Sequence, residues 1–244
     1  MPEPERLESE VRELSDVVEA LLADEGGCEW NRAQTHESLV TYLVEETAEL
    51  VEAVEDGTSA DRREELGDVL YQVVLHAALA ARAPEGRFDL ADVVHDVRQK
   101  TVRRHPHVFG GEEAADVDDV VRLWTAAKAV EKAGRRSAWD GVPLGLPALA
   151  RAQKIEARRL AAGGGAAVDE PATDEPAPDE PAPDEPAPDE PGDGELAWGR
   201  RLLAAVDRAG RDGIDAERAL RRAVREREAE LRSDEAQRRA TPQP

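Results

Sequence analysis

The chain has 244 residues, room for one large domain or two small ones. Its 32 Lys and Arg stand against 54 Asp and Glu, for a formal net charge of −22 at pH 7. Such a balance lacks the surplus of cations that displaces counterions from a nucleic-acid polymer, so it argues against polymer partners and leaves small, cation-mediated phosphate ligands open.

The first segment, Met1-Pro2-Glu3-Pro4-Glu5, is acidic and has neither the basic stretch nor the apolar core of a secretory signal. Leu7, Val11, Leu14, Val17, Val18, Leu21 and Leu22 then recur at steps of three and four, which predicts an amphipathic helix ended by Gly26-Gly27. A second helix is expected over about 36–56, with Leu39, Leu43, Leu50, Val51 and Val54 near one face and Gly57 as its stop. A third spans about 60–82 with Leu66, Val69, Leu70, Val73, Val74 and Ala77, and stops before Pro84. A fourth covers about 89–104 and ends before Pro106; a fifth covers about 116–133 and bears Val120, Val121 and Trp124. No alternating strand pattern competes, and the eight aromatics are few beside abundant Ala, Leu and Val, so the expected class is all-α. The single cysteine, Cys28, excludes an intrachain disulfide. No apolar run approaches the roughly 18 residues that cross a bilayer, so the expected location is cytoplasmic, without a membrane partner.

Residues 169–191 read DEPAT-DEPAP-DEPAP-DEPAP-DEP. Proline at this density sustains neither helix nor central strand, and the repeated acids repel. The region 161–194, with 11 acids and no base, is therefore read as a disordered acidic Pro-rich linker. It separates a main domain, 1–160, from a C-terminal segment, 195–244.

Two acid pairs do not suit a plain bundle. Glu46 with Glu49, and Glu65 with Asp68, are each three apart and share a helix face, where like charges destabilise. The second pair sits in the apolar run Leu66, Val69, Leu70. Carboxylates near a packed side need protonation, basic partners or metal. Four of them on facing helices form an all-oxygen cage suited to Mg²⁺, or alternatively Mn²⁺. Gly67 is expected to let the neighbouring helix approach. On spacing alone, a solvated acidic face fits the same pattern.

A basic cluster follows. Lys100 and Arg104 are four apart, and Trp124 and Lys128 repeat that spacing in the next helix. Cations facing a metal cage suit a polyphosphate. Taken alone, these residues also fit helix-dipole compensation and core packing.

The order Glu45-Glu46-x-x-Glu49, fifteen residues, Glu65-x-x-Asp68 resembles the signature of the MazG family of all-α nucleoside triphosphate pyrophosphohydrolases. GGCEWNRAQTHESL (26–39), EELGDVLYQVVLHA (64–77), EGRFDLADV (85–93), RRHPHVFG (103–110) and LPALARAQKI (146–155) resemble its flanking segments. Glu29 departs from the pattern, which commonly has proline there. The resemblance implies a MazG-like helical bundle that dimerises, and Mg²⁺-dependent hydrolysis of a nucleoside triphosphate to monophosphate and pyrophosphate as nucleotide-pool house-cleaning. It implies metal on Glu46, Glu49, Glu65 and Asp68, and substrate binding by Lys100, Arg104, Trp124 and Lys128. Glu45 and Glu49 are its candidate catalytic residues, and which group takes the proton from water stays open. A narrower substrate (dUTP, dCTP or phosphoribosyl-ATP) and a non-catalytic helical dimer that binds nucleotide or a protein remain alternatives.

A tandem second copy is common in that family. ELAWGRRLLAAVDRA (195–209) aligns under ELGDVLYQVVLHAAL (65–79), and DAERALRRAVRE (215–226) under DLADVVHDVRQK (89–100). Trp198 replaces Asp68, Glu226 replaces Lys100 and Glu230 replaces Arg104. The segment reads as a degenerate half-repeat without a site.

Overall fold

The computed structural model describes residues 4–131, 134, 137, 139–162 and 194–240. Among these the chain is all-helical, in two compact units, Met1–Glu131 and Lys132–Pro244. No described helix is long and apolar enough to cross a membrane.

The first unit begins with α1 (Pro4–Leu21), followed by a single turn α2 (Glu29–Arg32) that the periodicity did not signal. The long pair α3 (Val40–Glu55) and α4 (Ser59–Ala81) forms its centre. Helix α3 starts four residues later than expected. Thr35 and Ser38 each accept a hydrogen bond from the other's backbone N–H (2.9 and 3.1 Å), closing a separate turn ahead of Val40. Between α3 and α4 the chain reverses at Asp56-Gly57. A Cβ on Gly57 would lie 2.7 Å from Ala53 Cα and O, so only glycine fits this close approach. Thr58 caps α4 in a reciprocal box with Asp61, whose Oδ2 accepts from Thr58 N at 2.7 Å. A second box, Asp89 with Asp92, starts α5 (Leu90–Arg104). Pro106 opens the short α6 (Pro106–Phe109), and α7 (Val117–Glu131) returns against α5.

The core gathers Val18 and Leu22 from the first helical hairpin, Leu39 from the turn before α3, and Val74, Leu75 and Ala78 from α4. Leu14, Tyr71, Leu79 and Leu90 pack around it. Burying each Leu stabilises by about 1.5–3 kcal/mol, so the aliphatic stripes read from sequence form the main source of cohesion. Polar clasps fix the periphery. Arg82 pairs with Glu19 to tie α4 to α1, and Tyr71 OH donates to the buried Asn31 at 3.1 Å. His36 and His76 stack with Nδ1 atoms 2.7 Å apart, one ring donating and one accepting.

The second unit contains α8 (Ala148–Ala161), α9 (Gly194–Arg211) and α10 (Ala216–Ala240). Residues 146–160, expected in the main domain, include α8, which packs with α9 and α10 in the structure. Gln153 on α8 explains the attachment. Its Nε2 donates to Ile214 O at 2.7 Å, and its Oε1 accepts from Ala216 N at 3.0 Å, so one amide reads both sides of the α9–α10 turn. Nearly all of the linker, 163–193, lies outside the described residues.

Candidate metal centre

Antiparallel pairing of α3 and α4 brings the two acid motifs face to face. Glu46 and Glu49 project from α3 and Glu65 from α4, and one carboxylate oxygen of each lies within 4.8 Å of the others. Glu46 and Glu65 are half-buried and Glu49 is exposed. Asp68, also exposed, stands outside this group of ligand atoms, yet it is the strongest charge acting on Glu46. Glu45 is exposed on α3, one turn before Glu49 on the same face.

The electrostatics are uncompensated. Burial, then Asp68, Glu49 and Glu45, push the Glu46 carboxyl above its ordinary value, and a hydrogen bond from Gln72 only partly opposes them. Burial and then four acids, Glu49, Asp68, Glu64 and Glu46, raise Glu65. Its Oε2 is buried and accepts no hydrogen bond. An orphaned carboxylate oxygen among further carboxylates is a donor set that fits a hard divalent cation. Glu49 and Glu65 also border a cleft of about 370 Å³ with Glu52, Asp56 and Asp61. A larger cleft of about 770 Å³ between α1, α4 and α5 has a mainly aliphatic floor and none of the converging carboxylates.

One feature of the sequence reading is overturned. A Cβ on Gly67 would meet nothing within 4 Å, so this glycine faces open space within the chain and admits no neighbouring helix.

The predicted cations assemble around a different centre. The Arg104 guanidinium carbon lies 5.5 Å from the Trp124 ring centroid and Lys128 Nζ lies 4.3 Å from it, joining α5 to α7 through one aromatic ring. Lys100 stays exposed, one turn before Arg104. Two participants escaped the sequence reading. Glu131, the last residue of α7, binds both Arg103 and Arg104, with Arg104 its strongest influence, and its carboxyl is brought down to about 2. Gln72 is buried on α4 against Glu46. Their spacing held a signal: Gln72 is four residues beyond Asp68, and Glu131 three beyond Lys128.

Residues 34–109, which hold both acid motifs, match the MazG nucleotide pyrophosphohydrolase domain. An uncharacterized 26.1 kDa protein of Streptomyces cacaoi is 41% identical over 211 residues, 86% of this chain and 78% of that protein. The chain belongs to the MazG family. Two further MazG relatives carry functional names. A nucleoside triphosphate pyrophosphohydrolase/pyrophosphatase of Thermotoga maritima is 44% identical over 146 residues, 59% of this chain and 54% of that protein. A nucleoside triphosphate pyrophosphohydrolase of Escherichia coli K12 is 40% identical over 152 residues, 62% of this chain and 57% of that protein. This MazG chain therefore spans little more than half the length of the relatives named for an activity.

Proposed function

We propose that this chain hydrolyses nucleoside triphosphates to the monophosphate and pyrophosphate with Mg²⁺, and that it thereby clears the cytoplasmic nucleotide pool. The observation that carries the reading is the convergence of Glu46, Glu49 and Glu65 from two helices within 4.8 Å, with the buried Glu65 Oε2 accepting no hydrogen bond. Glu46, Glu49, Glu65 and Asp68 would hold the ion. When bound, it supplies Lewis-acid polarisation of phosphoryl oxygens and lowers the pKa of water.

The protein's own groups divide the remaining work. Glu45 and Glu49 would orient water and take its proton; both are exposed, one turn apart on α3. Lys100, Arg104 and Lys128 bind the phosphates of the substrate, whose charge the acids alone would repel. Trp124 holds Arg104 and Lys128 on its ring and offers a face for substrate packing.

The described residues of the second unit contribute no matching site. Trp198, aligned with Asp68, packs instead near Arg201, whose guanidinium carbon is 5.0 Å from its ring centroid. Among the described residues no second group of three His, Cys, Asp or Glu converges. We read 195–244 as a degenerate half-repeat, joined to the catalytic domain through the acidic linker. We also infer a homodimer. Val40 and Val44 on α3, and Leu66 and Leu70 on α4, stay exposed; Leu66 is 57% accessible and Val44 64%. Such aliphatic patches are costly in solvent and suit a second copy. A dimer mass in light scattering is the expected result.

The function is tested by pyrophosphate release from a panel of ribo- and deoxyribonucleoside triphosphates with and without Mg²⁺. The expected result is metal-dependent release from at least one of them. Absence of release from all of them would overturn the proposal.

A further inference from the structure

Glu131 sits where two structural facts meet. It is the last residue of α7, three positions beyond Lys128, and its carboxylate reaches across to the end of α5. Arg103 donates through Nε to Oε1 at 2.8 Å and brings its Nη2 within 2.7 Å of the same oxygen, while Arg104 donates through Nε (3.0 Å) and Nη2 to Oε2. Each carboxylate oxygen thus holds one guanidinium by its Nε edge. Among the described residues the hydrogen bonds of these two arginines to Glu131 use Nε and Nη2, which leaves the Nη1 donors of each for a ligand.

The pairing is more than a surface ion pair. The side chains of Glu131 and Arg104 are each only 17% exposed, and Arg104 also lies against Trp124. Surface pairs contribute little because both partners sample many rotamers in water. Here the arginine is fixed by hydrogen bonds from one direction and by an aromatic face from another. An anion meeting such a guanidinium does not have to order it first. Arg103 and Arg104 against this one carboxylate still leave a net positive charge.

We propose that Glu131 is a positioning residue that sets the Arg103–Arg104 pair against Trp124 for binding of the substrate's polyphosphate. This rests on the reading of Arg104 as a substrate contact. The opposite reading makes Glu131 a resident anion that substrate must displace. The geometry favours positioning, because the carboxylate takes the Nε edges and leaves the Nη1 atoms of both arginines.

The test uses the full chain and compares Glu131→Gln, Glu131→Asp and Arg104→Ala. The readouts are inorganic triphosphate binding by calorimetry, KM and kcat for the nucleotide turned over fastest, and the melting temperature. Glu131→Gln is expected to weaken triphosphate binding and raise KM by about tenfold, the size of one lost charged hydrogen bond, with kcat nearly unchanged. Glu131→Asp, which keeps the charge, recovers part of the loss. Tighter triphosphate binding by Glu131→Gln would overturn the proposal in favour of a resident anion. A lower melting temperature with unchanged Kd and KM would overturn it in favour of a purely structural role. If Arg104→Ala leaves Kd and KM unchanged, the underlying reading of the cation cluster fails as well. If Arg104→Ala weakens binding while Glu131→Gln does not, only the positioning role fails.

Discussion

The two charged clusters of the first unit are built on opposite principles. Where α3 faces α4, acids meet acids: Glu65 is raised by burial and by four neighbouring carboxylates, and its Oε2 has no partner. Where α5 meets α7, opposite charges meet: Glu131 holds two arginines, and its carboxyl is brought down to about 2. The first arrangement costs folding free energy and is relieved by a cation from outside. The second is satisfied internally and is rigid before any ligand arrives. On the proposed function, a ligand site is marked in one case by frustration and in the other by preorganisation.

The largest effect that sharpens this contrast is on turnover. Glu49→Gln and Asp68→Asn are each expected to lower kcat by about a hundredfold or more while the helical circular dichroism spectrum is kept, since each removes charge from the cation's cage. Retained activity in both variants would break the assignment of the acid cluster.

Next comes Glu65→Gln in metal-free protein. Because burial and like charges raise this carboxyl, removing its charge relieves repulsion, and the melting temperature is expected to rise by a few degrees while Mg²⁺ affinity falls. A drop in melting temperature would show that the cluster is not frustrated.

The acid dependence should run in opposite senses for the two clusters. The Glu131 carboxyl is depressed from an ordinary 4.5 to about 2, so its contribution to stability is complete above about pH 4.5 and is lost as pH falls toward about 2. Glu46 and Glu65 are raised, so they take up protons at higher pH than ordinary carboxylates and lose repulsion on doing so. Urea unfolding across this range should show Glu131→Gln removing the acid-side loss. Metal affinity should fall with pH before that loss begins.

Much of this arrangement was legible in the sequence. Aliphatic residues at helical spacing predicted α4, α5 and α7 closely, although only part of each stripe is covered: Val74, Leu75 and Ala78 are buried while Leu66 and Leu70 stay exposed. The acid pairs were legible only in part: spacing of three places each pair on one helix face, where a solvated acidic face fits as well, and Asp68 stands outside the group that Glu46, Glu49 and Glu65 form. What escaped depended on neighbours in space. The delayed start of α3 follows from a side-chain exchange between Thr35 and Ser38 that competes with the helix. The place of α8 follows from Gln153 reading a distant turn. Gln72 and Glu131 share helix faces with Asp68 and Lys128 by spacing, but what they bind is set by the opposing helix, which spacing does not show. Gly67 misled, because a glycine between two acids looks like a packing contact. Its open surroundings predict the smallest effect: Gly67→Ala should be tolerated and should stabilise α4 by up to about 1 kcal/mol in urea unfolding.

The acid cage is tested most directly by titrating the full chain with Mn²⁺ and following the free ion by electron paramagnetic resonance. Saturable binding is predicted for the native chain, with its loss when Glu46, Glu49 and Glu65 are changed together to Gln in a variant that stays helical. Equal Mn²⁺ uptake by that triple variant would contradict the account.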